Sequence, residues 1–407
     1  RAIDNAYDPY DQVTARLEQL HSIGHPTDKS EIIIMGGTFP STPDEFQEQF
    51  IKRTFDALNR EEAEDLQAAK QYNETAQNRN VGLTIETRPD FATKKHVNDF
   101  LRFGCTRVEM GVQTLDDEVQ ELTERGHGTE AVVDATHRLK DAGFKITYHL
   151  MLGLPGESRE SDIQKFRTLF EDPRFQPDEL KIYPTAVVEG TKLHEMVEAG
   201  DYEPLEEDEL YDRLMAIKPD IPPYCRIKRI MRDIPSTEID DGASRTNARQ
   251  LLHQKMEEQG LECRCVRCRE AGHRKQKDGV EPDEGELVER IYDASGGEER
   301  FLSFEDPGKD VLLGYLRLRF PDHSVRDEID EATAIVRQLQ VVGPAVPLDG
   351  GSAVQHSGYG TRLMQAAEER ARENGFDTLT VISAVGTREY YRKLGYERDG
   401  PYMSKQL

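Results

Sequence analysis

Cys263, Cys265 and Cys268 fall within the six residues CRCVRC. Three thiolates at that spacing can reach one ion, and a structural zinc site takes four nitrogen or sulfur ligands. His273, five residues on, is the expected fourth ligand; Cys225 is its rival, and an iron–sulfur site is a third reading. A second candidate is QHSGYG at 355–360, followed by the helix-compatible TRLMQAAEERARENG. A helix N-terminus leaves its first amides unpaired and partly positive, and glycine lets backbone approach a phosphate closely. Gly358, Tyr359 and Gly360 are thus a candidate pyrophosphate cradle. Further on, TREYYRKLGYER carries Tyr390 and Tyr391. A phenol with a pKa of about 10 can donate a proton to a thiolate whose acid has a pKa of about 8.5. Near the other end, Gly36 and Gly37 close the apolar run EIIIMGG. That is an ordinary way to begin a loop, but the C-terminal end of a strand is also where parallel barrels place their sites.

The elements that must hold these residues alternate in the first half. Candidate strands EIIIMGG (31–37), VGLTIETRP (81–89), TRVEMGVQ (106–113), KITYHLMLGLPG (145–156) and ELKIYPT (179–185) are separated by amphipathic stretches such as PDEFQEQFIKRTFDALN and TEAVVDATHRLKDAG. Strand–helix repetition of this kind predicts a parallel sheet or barrel. The non-alternating run Ile32, Ile33, Ile34, Met35 predicts strands covered on both faces. Residues 206–287 read as a charge-rich linker with the cysteine cluster, and a loop is expected near 275–287. From 288 to 407 the pattern predicts a small α+β domain, with a hairpin around PGKD, the strand VRQLQVVG, the QHSGYG helix, the strand DTLTVIS and the tyrosine helix. The organisation is therefore 1–205, 206–287 and 288–407, in the α/β class.

With 78 acidic and 53 basic residues the formal charge is −25. The acidity is spread along the whole chain, which fits a high-salt cytoplasm, where screening is strong. No apolar run is long enough to span a membrane and no signal-peptide pattern opens the chain, so a soluble, cytoplasmic protein with no membrane partner is expected. Against this background Arg226, Lys228, Arg229, Arg232, Arg264, Arg267, Arg269, Arg274, Lys275 and Lys277 gather around the cysteines. Such a patch is a candidate footprint for a phosphate backbone.

The order strand, QHSGYG turn, helix, strand, tyrosine helix resembles the GCN5-related N-acetyltransferase family. There a Q/R-x-x-G-x-G/A turn holds the coenzyme A pyrophosphate. The resemblance implies that Gln338, Leu339, Gln340 and Val341 offer backbone to the pantetheine and acetyl carbonyl, and that Tyr390 or Tyr391 lies near the thioester sulfur. A wider resemblance covers the whole chain. RAIDNAYDPYDQV, LEQLHSIGHPTDKSEIIIMGGTFP, IETRPD, GCTRVEMGVQTLDDEV, RGH, RDIPS, GTREYYRKLGY and GPYM occur in that order. Together they are similar to the Elongator catalytic-subunit family, in an archaeal version. The resemblance implies a partial radical-SAM-type α/β barrel and an acetyltransferase domain, on either side of the linker whose cysteines are read as a zinc site. It implies Gly36 and Gly37 beside S-adenosylmethionine and Lys29 near acetyl-CoA. It implies an enzyme that carboxymethylates C5 of the tRNA wobble uridine in the anticodon loop, through a radical formed on the acetyl methyl group. A homodimer or partner subunits are left open. The family's [4Fe–4S] cluster needs a cysteine triplet that the resemblance places upstream of Arg1; only Cys105 occurs in 1–200. A protein lysine acetyltransferase and a tRNA-binding scaffold are the alternative readings.

Overall fold

The computed structural model describes residues 2–231, 248–322, 326–342 and 358–407. Six parallel strands run in chain order across one sheet: β1 (Lys29–Ile34), β2 (Arg79–Thr87), β3 (Arg107–Gln113), β4 (Lys145–Leu152), β5 (Glu179–Pro184) and β6 (Arg226–Ile230). This is a half-barrel. Its helices pack on one face, where Val108, Met110, Ile146, Tyr148, Leu150, Leu180 and Ile182 meet Val97, Phe100, Leu101, Val132, Leu139 and Phe166 in one core. Local signals set the helix ends. Asp8 caps Pro9–Ser22 through the amides of Tyr10 and Asp11, and Gly143, at φ 89°, follows Thr129–Asp141 as the sequence pattern predicts.

The inner face differs from the expectation of strands buried in apolar surroundings on both sides. It carries Arg107 and Glu109 on β3, Thr147 and His149 on β4, Glu179 and Lys181 on β5, and Lys228 on β6, in strict alternation with the apolar outer face. On β1, Ile33 is exposed at 36%, as is Met35 just after it at 54%, whereas Ile34 is buried. The inner charges are tolerable because they are paired. Glu109 binds His149 Nε2 at 3.0 Å, Lys228 Nζ at 2.9 Å and Lys181 Nζ. Glu179 binds Arg107 Nε at 3.1 Å and Lys228 at 3.4 Å, and Arg107 approaches Glu31 at 3.6 Å.

The sixth strand, RIKRI, lies within the stretch read as a linker, and helix Glu207–Ile217 packs against Arg159–Glu171 of the barrel. The stretch read as a loop near 275–287 is partly ordered as helix Ala271–Asp278 and the start of β7 (Glu286–Ala294).

A second sheet follows, ordered β12-β13-β11-β10-β9-β8-β7. Its remaining strands are β8 (Gly297–Asp306), β9 (Val311–Phe320), β10 (Thr333–Val341), β11 (Thr378–Val381), β12 (Glu397–Asp399) and β13 (Tyr402–Gln406). Only β10 and β11 are parallel neighbours. Helix Tyr359–Glu373 covers one face through Leu363, Met364 and Ala367. The other face meets the half-barrel at the segments that precede its strands. Tyr402 Oη donates to Ala142 O at 2.9 Å, Arg388 and Arg392 both reach Glu74, and the loop at Gly386 lies against β2. A Cβ at Gly386 would sit 2.6 Å from Arg79 Cβ and 2.7 Å from Asn80 O, so glycine is required for this approach. The second sheet therefore closes the N-terminal end of the half-barrel, and the C-terminal end stays on the opposite side. Among the described residues no helix is long and apolar enough to cross a membrane.

Candidate active sites

β10 and β11 pair only from Thr333 to Val336, and the last contact is Ile382 N to Val336 O at 3.2 Å. After a register irregularity at Arg337, β10 continues along β9 alone, with Gln338, Leu339, Gln340 and Val341 opposite Arg317, Leu316, Tyr315 and Gly314. Two parallel strands that diverge in this way leave backbone groups of the longer one open to a ligand. The splay points to the start of helix Tyr359–Glu373, whose N-cap, Gly358, has φ 74° and makes no side-chain cap. Gln355, also in the QHSGYG motif, lies outside the described residues. The Tyr359 side chain turns inward: its hydroxyl accepts from Gly285 N at 3.2 Å and its ring packs on Phe304. Only its backbone is left for the cradle.

Gly360 ties these elements together. A Cβ there would lie 2.8 Å from Tyr390 Oη and 3.7 Å from Val341 Cγ2. The end of β10, the helix N-terminus and Tyr390 thus converge on one point. The adjacent tyrosines are separated by their helix face. Tyr390 is 37% exposed, whereas Tyr391 is 7% exposed within the acetyltransferase core. Burial raises the Tyr390 phenol above its ordinary value, partly offset by the Thr361 side chain.

At the opposite end of the half-barrel, Gly36 and Gly37 follow β1 with φ 98° and 57°, and a Cβ at either would meet nothing within 4 Å. Their backbone, not crowding, requires glycine. At the same C-terminal end of the sheet, two strands over, β3 ends at Gln113, with φ 68° and a buried Oε1 that lacks a hydrogen-bond partner, and Arg125 Nη2 donates to Gly111 O at 2.9 Å. An orphan acceptor at the strand ends suits a bound polar ligand. The sequence ends a strand at Gln113 but carries no signal for its unpartnered amide oxygen, nor for Arg125, which meets the strand only in the folded sheet. Lys29 opens β1 at the other end, in register with Arg79, on the side closed by the second sheet. It is roughly 23 Å from Gly36 at about 3.3 Å per residue.

The barrel half holds no cluster ligand. Cys105 is buried just before β3, at the end away from the glycine pair, and its thiol donates to Arg107 O at 3.0 Å. Burial pushes that thiol up to about 12. The described residues of the half-barrel through β5, with this one cysteine, do not fit a four-iron cluster, which needs several thiolates.

Cys263, Cys265 and Cys268 bring their sulfurs within 4.8 Å of one another. Hydrogen bonds from Cys263 and Cys268 hold the Cys265 thiol well below its ordinary value. Lys218, fully buried, places Nζ 4.0 Å from Cys268 Sγ; burial opposes its charge, but the three sulfurs raise its pKa. Neither expected fourth ligand joins the group. His273 is paired with Glu270 at 3.4 Å, and Cys225 is buried behind the cluster, where its carbonyl accepts from Val266 N. The basic residues around the cluster are less available than their sequence density implies. Arg226 is held by Glu270, Lys228 by Glu109, Arg269 by Glu305, Arg264 by Asp310 and Lys275 by Glu281. Arg232 lies outside the described residues.

Matches to known families cover both sheets. Residues 6–168 match the radical SAM superfamily, 177–258 the radical SAM C-terminal domain and 270–396 the acetyltransferase (GNAT) family. The chain therefore joins a radical-SAM half-barrel to a GCN5-related acetyltransferase domain. It is 49% identical to the tRNA uridine(34) acetyltransferase of Methanocaldococcus infernus, over 98% of this chain and 76% of that protein. It is 44% identical to human Elongator complex protein 3, over 100% and 75%. A solved structure of archaeal Methanocaldococcus infernus Elp3 with residues 1–46 deleted superposes with a TM-score of 0.97 at 48% identity, covering 100% of this chain and 97% of that one. The chain belongs to the family of Elongator complex protein 3 and the archaeal tRNA uridine(34) acetyltransferases. Its radical SAM unit implies S-adenosylmethionine and an iron–sulfur cluster, and its acetyltransferase unit implies acetyl-CoA.

Proposed function

We propose that this protein is a tRNA uridine(34) acetyltransferase that uses acetyl-CoA as the acyl donor to build a carboxymethyl group on C5 of the wobble uridine. The observation that carries the reading is the convergence of Val341, Gly360 and Tyr390 at the β10–β11 splay. The first amides of helix Tyr359–Glu373, at Gly358, Tyr359 and Gly360, bind the pyrophosphate of coenzyme A. The backbone of Gln338, Leu339, Gln340 and Val341 holds the pantetheine and the acetyl carbonyl. Tyr390 donates its phenolic proton to the departing thiolate, and Tyr391 packs the helix that carries it. Lys29 adds positive charge at the same end of the half-barrel. Gly36 and Gly37, with Gln113 and Arg125, would hold S-adenosylmethionine, whose cleavage by one electron from an iron–sulfur cluster, held by residues other than those described, would supply the radical chemistry. The RNA presents its anticodon loop with a splayed base, the common mode of single-stranded RNA recognition. The test is acetyl-CoA hydrolysis by the full chain with and without tRNA. Stimulation by tRNA is the expected result. Absence of stimulation, with acetyl transfer to lysine peptides instead, would replace this reading with a protein acetyltransferase.

The cysteine triplet is proposed as a structural zinc site that knits helix Val266–Arg269 to β6, with His273 as the fourth ligand once its ring leaves Glu270. Cys265→Ser is expected to remove bound zinc and destabilise the fold, because metal binding energy to such sites is folding energy. Elemental analysis with thermal melting checks this; full zinc occupancy in the variant would refute the assignment.

A further inference from the structure

The strand read as the acetyl-CoA strand is held from outside its own domain. Past Val336, β10 loses β11 as a neighbour, yet its polar side chains form a closed hydrogen-bonded set. Gln338 Nε2 donates to Tyr315 Oη at 3.0 Å and to Gln340 Oε1 at 3.1 Å, and Tyr315 Oη donates to Gln340 Oε1 at 2.8 Å. The set is anchored through one further bond, from Arg317 Nε to Gln338 Oε1 at 3.0 Å. Arg317 is fully buried, and its other hydrogen bonds go to the half-barrel. Nη2 donates to Tyr224 O at 2.6 Å and to Asp178 O at 3.1 Å, and Nη1 lies 3.6 Å from Asp178 Oδ1. Asp178 and Tyr224 stand immediately before β5 and β6. Phe301 and Tyr315 flank the guanidinium, at 5.1 and 5.6 Å from the ring centroids, and hold its plane.

We infer that Arg317 is a positioning residue that sets the acetyl-CoA strand in reaction register by fixing Gln338, and through it Gln340 and Tyr315, to the half-barrel. A guanidinium suits this task, because its rigid fork can hold two barrel carbonyls and one side-chain amide at once. The inference rests on the reading of 338–341 as the acetyl strand. It assigns the barrel a part in the acetyl step that is separate from its radical chemistry.

The experiment uses the full chain with tRNA and acetyl-CoA, and compares Arg317→Met, Arg317→Lys, Gln338→Ala and the Arg317→Met/Gln338→Ala pair. Misplacement of reacting groups lowers turnover more than binding, so Arg317→Met is expected to lower kcat about tenfold while acetyl-CoA affinity changes by about twofold or less. Calorimetric stoichiometry should stay at the wild-type value. Arg317→Lys, which keeps the charge but cannot span all three acceptors, should fall between. If Gln338 transmits the effect, the double variant should match the worse single variant rather than the product of the two. Unchanged kcat in Arg317→Met, a fall matched by lost binding stoichiometry, or multiplicative effects in the double variant would each overturn the inference. If Arg317→Met does not fold, the same cycle is read with Arg317→Lys. Gln338→Ala with unchanged kcat would overturn this inference alone; failure of the underlying reading looks different, because the unaltered protein would then bind no acetyl-CoA in the calorimeter and both proposals would fall together.

Discussion

Tyr390→Phe is expected to lower tRNA-stimulated acetyl-CoA hydrolysis about 100-fold, the lower end of what a positioned general acid contributes. Its affinity for acetyl-CoA should change little, because the pyrophosphate cradle is untouched. The expectation follows from position. Tyr390 Oη lies beside Gly360 and the end of β10, at the edge of the splay read as the coenzyme A site. Protonation state supports it. The phenol is raised above its ordinary value of 10.0, so it keeps its proton across the neutral range and loses it only at higher pH. Turnover limited by this group should therefore be level from neutrality upward and fall only in strongly alkaline solution. Tyr391→Phe is the contrasting variant. Its ring packs in the core, so it should retain turnover within about threefold while losing some stability. Gly360→Ala acts on both features: its new Cβ would meet Tyr390 Oη at 2.8 Å and crowd the cradle, so its rate and its acetyl-CoA affinity should fall together, unlike Tyr390→Phe. Steady-state rates of the three variants, with calorimetric acetyl-CoA binding, decide the matter. A wild-type rate in Tyr390→Phe would mean that water or another group protonates the thiolate.

Why the sequence could not choose between Tyr390 and Tyr391 is instructive. Both lie on one short helix, Arg388–Lys393, too short for a periodicity to be read, and its face is decided by a core assembled from strands and helices elsewhere in the domain. The large elements were legible because their signals are local. The strands before and after QHSGYG, the hairpin at PGKD and the glycine stop at Gly143 all fall where the residue pattern places them. The barrel's inner face was not legible. Glu109, His149 and Lys181 sit inside runs that look apolar, and the partner that makes Glu109 tolerable, Lys228, is 119 residues away. The strand carrying Lys228, RIKRI, looks like part of a basic patch for the same reason. Its charges face inward to carboxylates that only the folded sheet brings near. The missing fourth ligand near the cysteines has a similar origin: spacing put His273 within reach, but Glu270 holds it.

Arg337→Met is expected to destabilise the protein by about 3–5 kcal/mol, the range for removing one partner of a buried charge pair. Arg337 is fully buried between the two sheets. Its Nη1 donates to Asp178 Oδ2 at 2.8 Å and Phe144 O at 2.6 Å, and its Nη2 to Asp178 Oδ1 at 2.6 Å and Glu299 Oε2 at 2.8 Å. Arg319 completes the cluster through Asp141 at 2.6 Å and Glu299 at 3.1 Å. Lys140 lies 3.6 Å from Asp178 and 3.8 Å from Glu299, and burial pushes its ammonium down to about 8. Methionine at 337 would fill much of the volume but leave the buried Asp178 and Glu299 under-compensated. The acid dependence gives the second readout. Burial opposes the Asp178 charge, but Arg337, Lys140 and Arg317 hold its carboxyl well below the ordinary 3.8. A depressed carboxylate contributes stability that is fully present above the unfolded value and is lost as pH falls below it. Wild-type stability should therefore drop as the solution is acidified below about 3.8, whereas Arg337→Met, having already lost most of that contribution, should show a shallower slope. Urea midpoints measured across this range test both statements. Equal midpoints at neutral pH would show that the interface is held by apolar contacts such as Ile335 and Ile382 against Gly143, and that the ion cluster only selects the register in which the half-barrel and the acetyltransferase sheet meet.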